Sequence, residues 1–417
     1  MKIKSRNWLS LALLLCLSLR LPAAEALRDE INPALLYWQA FAVMPDLAPE
    51  DQKHLLETQW RTRPMDERAG ELASRYDQSF KLLKAAAVSK APCDWGVDMS
   101  LGPQALLPHL AKAKRCATVA VLRARWAVQQ GRPEAARDDL DSAFVLGRNV
   151  SRDGTLISAL VQIAVEKIVL GYLVQQWPEL STETIGSFLR AIDSAPARGT
   201  MAASMETERV ALYGWLVRSI QELAGKYPDN GAKALEEATK LLDGMVSEEE
   251  GNQRSGYGAA VIQAAGGTVA GLIAYVHELE PLYGEIEQAM SLPYTKFQPV
   301  IEQLQKQITD HPNLIARECL PAVAKVRDKE FRVIAWFAMV RAAYQIRLDP
   351  ARGLEQTPDP FGSGPFEYNR FVLDGVDRGF KLKSQVRNPD FPEVLIFAEK
   401  PGVAFLVDGP YAGKKVQ

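Results

Sequence analysis

Apolar residues recur at helical spacing from about Asp29 to Leu348, and this pattern confines most of the chain to helices. Met65, Ala69, Leu72, Tyr76, Phe80 and Leu83 form one stripe. Leu106, Leu110, Ala113, Ala117, Val121, Ala124 and Val128 form a second, and Ile157, Leu160, Val161, Ala164, Val165 and Ile168 a third. Phe331, Ile334, Ala335, Ala338, Ala342 and Ile346 form the last. A helix with one greasy stripe must lay it against another, so the expected architecture is mainly α, an α-solenoid-like bundle of antiparallel hairpins. Pro49, Pro103, Pro133 and Pro312 are expected to open helices, where a missing N–H is harmless. Gly131 is expected to end one.

Two further divisions follow. The stretch 244–258 (GMVSEEEGNQRSGYG) combines four glycines with three consecutive glutamates and reads as an internal break. From 349 onward Pro and Gly become frequent, and short apolar runs at 366–368, 380–382, 394–397 and 403–407 read as strands. Lys400-Pro401-Gly402 is expected to join the last two as a hairpin. The chain thus divides into a leader at 1–26, a helical body at 27–348 and a small β-rich tail at 349–417.

The leader carries Lys2, Lys4 and Arg6, an apolar run from Trp8 to Leu19, and Ala24-Glu25-Ala26 at its end. This is the pattern of a cleaved secretory signal, and its apolar run is shorter than the roughly 20 residues a membrane span needs. The expected location is extracytoplasmic, periplasmic or secreted. Leu15 before Cys16 is too large for a lipoprotein site, so lipidation is not expected. After cleavage no integral span is expected. Ala259 to Tyr275, with Gly267 and Gly271 in G-x-x-x-G spacing, reads as a close-packed soluble helix, since Gln263, Thr268 and its many alanines suit a membrane poorly. The formal net charge of −2 gives no field to draw in nucleic acid.

The loop from Ala91 to Pro103 (APCDWGVDMSLGP) is the one place where reactive residue types gather. Asp94 and Asp98 could serve as acid and base, with His109 entering the next helix beside them. Trp95 could stack a sugar, and Trp126 is the second aromatic binding candidate. The plainer reading has Asp98 or Ser100 capping a helix and Trp95 plugging the core. Cys93 and Cys116 are candidates for one disulfide; the alternative is that they and Cys319 remain buried thiols. No G-x-S-x-G, H-E-x-x-H, P-loop or G-x-G-x-x-G is present. The four histidines, His54, His109, His277 and His311, have no metal-ligand spacing, so neither metal nor cofactor is expected.

Three local resemblances add to this. Ala124 to Arg148 (ARWAVQQGRPEAARDDLDSAFVLGR) resembles one tetratricopeptide-type helix hairpin, with small residues where two helices approach and a short turn between them. No clean repeat of it occurs elsewhere. The Cys93-Asp94-Trp95-Gly96 segment is similar to one in secreted helical proteins of unassigned activity. The third lies in the tail. Asp359-Pro360-Phe361-Gly362 through Tyr368, followed by Gly379-Phe380-Lys381-Leu382-Lys383-Ser384, resembles the C-terminal segment of G-type pseudopilins of type II secretion. That resemblance implies a helix lying on a small sheet and fixed by the DPFG turn. The chain departs from the family at its N-terminus, and Gln385-Val386-Arg387-Asn388 replaces the family's acidic, glycine-rich loop.

Together these observations lead to the expectation of an extracytoplasmic helical binding or scaffold protein without catalytic activity, its partner a protein or a glycan. The alternatives are a hydrolase acting on glycans through the Asp94/Asp98 loop, or an envelope or secretion-apparatus assembly component built on the tail.

Overall fold

A computed structural model describes residues 31–56, 64–245, 256–320, 323–387, 390–401 and 405–415. The leader at 1–26, most of the 244–258 break and Gly402 of the expected last hairpin lie outside them. Four helices open the described chain: α1 (Pro33–Ala42), α2 (Pro49–Leu56), α3 (Glu67–Ser74) and α4 (Asp77–Ala87). Three long ones follow, α5 (Pro108–Gln129), α6 (Pro133–Val150) and α7 (Leu156–Gln175). Then come α8 (Thr182–Ser194), α9 (Met201–Glu208), α10 (Trp215–Lys226) and α11 (Gly231–Asp243). The second half holds α12 (Tyr257–Ala264), α13 (Val269–His277), α14 (Leu279–Met290), α15 (Tyr294–Thr309) and α16 (Leu314–Cys319). The long α17 (Val323–Leu348) leads into an antiparallel sheet, β1 (Glu367–Leu373), β2 (Val376–Lys383) and β3 (Val394–Ala398), in that spatial order. The fold is mainly α with a small β module, as the patterning requires.

The first stripe is buried throughout, although Arg75 and Tyr76 divide it between α3 and α4. The second is buried from Leu110 to Ala124, but Leu106 is exposed because the helix starts at Pro108. Pro103 opens no α-helix; it sits in a 3-10 turn, Met99–Gln104. Pro312 likewise stands before the Asn313 cap of α16. Pro49 and Pro133 do open α2 and α6. Between α5 and α6, Gly131 takes φ +70°, a left-handed conformation that ends α5, while the Arg132 N–H returns to the Ala127 carbonyl at 2.8 Å.

α7 organises the body. It packs on α5, α6, α9, α17 and β3. Among the described residues it is the one helix long and apolar enough to cross a membrane, and most of it is buried within the protein. Gly147 of α6 lets the two helices close up: a Cβ there would lie 2.6 Å from Val165. The third stripe is misplaced by the sequence reading. Ile157 is half exposed, whereas Ser158, Gln162 and Glu166 are fully buried. These polar groups face partners that α7 does not itself carry. Ser158 Oγ donates to Asp153 at 2.6 Å, and Gln162 Oε1 accepts from Ser151 Oγ at 2.6 Å and from Gly199 N at 3.0 Å. Glu166 lies between Arg148 at 2.8 Å and Arg198 at 2.6 Å. Burial pushes its carboxyl above the usual range, against the pull of Arg198 and Arg148.

The expected helix over Ala259 to Tyr275 is broken. Gly266 and Gly267 take φ +83° and +68°, conformations open to glycine at little cost, and the chain turns by 91° between α12 and the helical stretch Val269–Met290. Thr268 then caps α13, accepting from Gly271 N at 3.0 Å. Gly267 and Gly271 therefore serve a turn and a cap, not a G-x-x-x-G helix contact.

In the tail, Asp374 and Gly375 take φ 53° and 73° and form a tight β1–β2 hairpin that the sequence reading overlooked. The expected 403–407 strand contributes a single bridge, Phe405 to Lys415, among the described residues. Buried Asp359 of the DPFG turn accepts from Ser384 Oγ at 2.9 Å, Gln385 N at 2.6 Å and Phe361 N at 3.0 Å. The sheet rests on α17 and α7. Trp336 of α17 donates to Glu393, and Lys167 of α7 lies 4.2 Å from the Trp336 ring centroid. Trp177, just past α7, meets Phe397 of β3 edge-on at 4.9 Å.

Replacing Glu166 with Ala strands two poorly hydrated arginines. It is expected to cost about 3–5 kcal/mol of unfolding free energy, read from the midpoint of a urea titration.

Candidate functional site

The Ala91–Pro103 loop brings its reactive residues into structure. Trp95 is buried and stacks on His109 at 4.4 Å and on Tyr37 at 5.5 Å, with Trp38 edge-on at 5.7 Å. Its Nε1–H donates to the Asn149 carbonyl at 2.7 Å, and Asn149 Nδ2 donates to Tyr37 at 3.0 Å. This is an aromatic plug tying α1 and the loop to the end of α6. No ring face is left for a sugar at Trp95.

The two candidate carboxylates act on their own turns. Asp94 Oδ1 accepts from Gly96 N at 2.9 Å, while Asn32 Oδ1 accepts from Asp94 N at 3.1 Å. Asp98 accepts from Ser100 N at 2.9 Å and Ser100 Oγ at 2.6 Å, which holds its carboxyl below the usual range. His109 is fully buried, with Nε2 3.2 Å from Asp153, a residue of neither candidate pair. Asp94, Asp98 and His109 are thus engaged separately. Cys93 and Cys116 are free thiols, as is Cys319; burial pushes both Cys93 and Cys116 up to about 12. The expected Cys93–Cys116 bond is not formed. Loop closure rests instead on Asn32 and Trp95.

Trp126 is half-buried over α3, where Gly70 makes room: a Cβ on Gly70 would lie 2.4 Å from the indole. It borders two clefts, one of about 100 Å³ with Arg123 and Asp139 and a wide-open one of about 630 Å³ beside Glu67 and Arg75. Arg123 is already held by Asp139 at 2.8 Å and Asp77 at 2.6 Å.

A more enclosed concavity lies where the tail meets the body. A groove of about 510 Å³ is enclosed by the end of α17, the 3-10 turn Gly353–Gln356 and the sheet. This is within the roughly 300–1,000 Å³ of ligand sites, which favour such junctions. Its sheet wall is aromatic. Tyr368 is partly exposed and stacks on Phe380 at 5.4 Å, which stacks in turn on Phe397 at 5.3 Å. Arg370 fixes this wall. It forks to Asp377 at 2.8 and 2.9 Å, reaches Glu399 at 2.6 Å and donates to the Tyr368 hydroxyl at 3.2 Å. Its hydrogen bonds to Glu399 and Asp377 push the guanidinium upward.

The opposite wall carries two charges with hydrogen-bonding capacity left over. Arg347 donates to the Trp177 carbonyl at 3.0 Å and lies over the Trp177 ring, and its other N–H groups have no partner among the described residues. The Glu355 N–H donates to the Arg352 carbonyl at 3.1 Å, while its carboxylate has no hydrogen bond or ion pair among the described residues. The groove therefore offers a fixed ring face, a donor fork and an acceptor. Its residues come from segments that are distant in sequence, which is why periodicity did not find it. The aromatic run 366–368 and Arg347 at a helix end were the available signals.

Among the described residues no group of three or more His, Cys, Asp or Glu side chains is placed to share a metal ion. No family model, curated protein or solved structure matches the chain.

Trp95→Ala is expected to lower stability by about 3–5 kcal/mol, whereas Asp94→Ala and Asp98→Ala leave the urea midpoint close to that of the unaltered protein. Equal losses for all three would contradict the plug.

Proposed function

We propose that this chain is an extracytoplasmic binding protein without catalytic activity, which seats a glycan in the groove between its helical body and its β tail. The groove itself carries this reading. Tyr368 is held still by Phe380 behind it and Arg370 at its hydroxyl, so a sugar's C–H face meets a ring that loses little freedom on binding. Sugar hydroxyls both donate and accept, which matches Arg347 on one side and Glu355 on the other. A purely apolar ligand would leave both charges desolvated and unpaired.

The location rests on the leader residues 1–26. The absence of catalysis is proposed because Asp94 and Asp98 serve turns and His109 is stacked inside the core. The tetratricopeptide-type reading is supported by the α5–α6 hairpin with its Gly131 turn. The pseudopilin-like reading of the tail is supported by the Asp359–Ser384 link, which joins the two motifs that carry the resemblance. Assembly into a secretion filament is not favoured, because the sheet is packed on this chain's own α7 and α17.

An oligosaccharide array probed with the purified protein tests the proposal. It is expected to return a set of binders whose affinity falls at least tenfold in Tyr368→Ala and in Arg347→Ala, a loss of about 1.4 kcal/mol each. No binder on the array, or binders indifferent to both substitutions, would reject it.

A further inference from the structure

A second cavity, remote in sequence from the groove, is lined by a carboxylate that the protein pairs only weakly. It lies between the end of α4, the middle of α6 and the end of α8, and measures about 380 Å³. Its charged lining residues are Lys84, Asp138 and Asp141. Two of these are already matched. Lys84 Nζ sits 2.8 Å from Asp139, and Arg137 sits 2.8 Å from Asp138. Asp141 is matched only weakly: Arg137 Nε pairs with its Oδ2 at 3.9 Å, a quarter of its side chain stays exposed, and its Oδ1 is shielded from solvent with no hydrogen-bond partner. α8 and the chain beyond it bring Ala191, Ser194, Ala195 and Pro196, none of them titratable. Ala87, Val88, Phe144, Val145, Ala191 and Pro196 are the apolar part of the remaining wall, with Ala195 beside them.

We infer that this cavity is a binding site for a primary alkylammonium ligand, its ammonium against Asp141 and its alkyl chain along Val145, Ala191 and Pro196. The exposed part of a weakly paired carboxylate gains most from a partner that is both donor and cation, and a protonated amine supplies both. A hydrated metal ion fits poorly, because such ions want six or more oxygens and these walls offer few. An anion is repelled by Asp141. A neutral alcohol could fill the space but would bring no charge. The site is independent of the proposed glycan groove.

The ionisation of Asp141 gives the test its direction. Burial pushes its carboxyl up to about 7, from 3.8 in an open chain. The folded protein therefore holds this proton over a range where the unfolded chain has released it. Stability from this group is complete below pH 3.8 and is lost as pH rises through about 7. Amine binding runs the other way, since it needs the carboxylate.

Titration of the full chain with n-hexylammonium chloride by calorimetry, with n-hexanol as the neutral comparison, tests the site. At pH 8 saturable binding of the amine is expected, at least tenfold tighter than that of hexanol. Lowering the pH to 6 should weaken it about tenfold, because the ionised fraction falls from about 0.9 to about 0.1. Asp141→Asn should weaken it at least tenfold while raising the melting temperature at pH 8 and leaving it unchanged at pH 4. Ala191→Leu should block binding by filling the cavity and leave that pH profile of stability intact. Absence of saturation at pH 8, hexanol binding as tightly as the amine, or an Asp141→Asn protein with undiminished affinity would each overturn the assignment.

Discussion

A carboxylate with no water around it sets the terms for this fold. Glu166 sits on the one helix among the described residues that is long and apolar enough to cross a membrane, and it is fully buried there. Left alone, its charge would expel α7 from the core. Arg148 from α6 and Arg198 from the segment before α9 answer it, and Phe337 of α17 lies against both guanidinium groups. Three separate parts of the chain are thereby drawn around one side chain. Gln162 and Ser158, one and two turns earlier, repeat the arrangement with Ser151 and Asp153 as partners. The polar edge of α7 thus acts as a register mark, since sliding the helix by one turn would misalign all three contacts.

The same helix connects the body to the tail. Lys167 is next to Glu166 in sequence and lies over Trp336 beside Glu393, and Trp177 past the C-terminus of α7 packs on Phe397. The groove walls are therefore extensions of the core and not a loose loop. Preformed walls lower the ordering cost of binding, as the glycan-binding proposal requires. The Asp359–Ser384 link closes the far side of the tail by the same device, a buried carboxylate surrounded by donors.

Much of the architecture was legible because amphipathic stripes report one-sided burial. α3, α4 and α5 face the core on one side, and their apolar residues align as written. α7 is covered on several sides, so its apolar positions carry no phase, and the decisive residues were polar ones that periodicity discards. Gly267 and Gly271 have the spacing of a packing surface within a helix, yet Gly266 and Gly267, two consecutive left-handed residues, make a corner there. Trp95, Asp94 and Asp98 illustrate the limit at the site. Side-chain chemistry marks them as reactive types and equally permits Trp95 as a core plug and Asp98 as a cap, and the partners Asn149, Gly96 and Ser100 decide for the plainer reading. The groove was out of reach for a different reason: it joins α17, a 3-10 turn and the sheet, and no local pattern records that junction.

The central claim is that body and tail form one cooperative unit around α7, so that the groove exists before any ligand arrives. Native-state amide hydrogen exchange of the full chain measures this directly. The account predicts that the slowest amides of α7, α17 and β3 exchange with the same free energy, through global unfolding. If β2 and β3 were to open at a much lower free energy while α7 stays protected, the tail would be a separate unit and the account would be wrong.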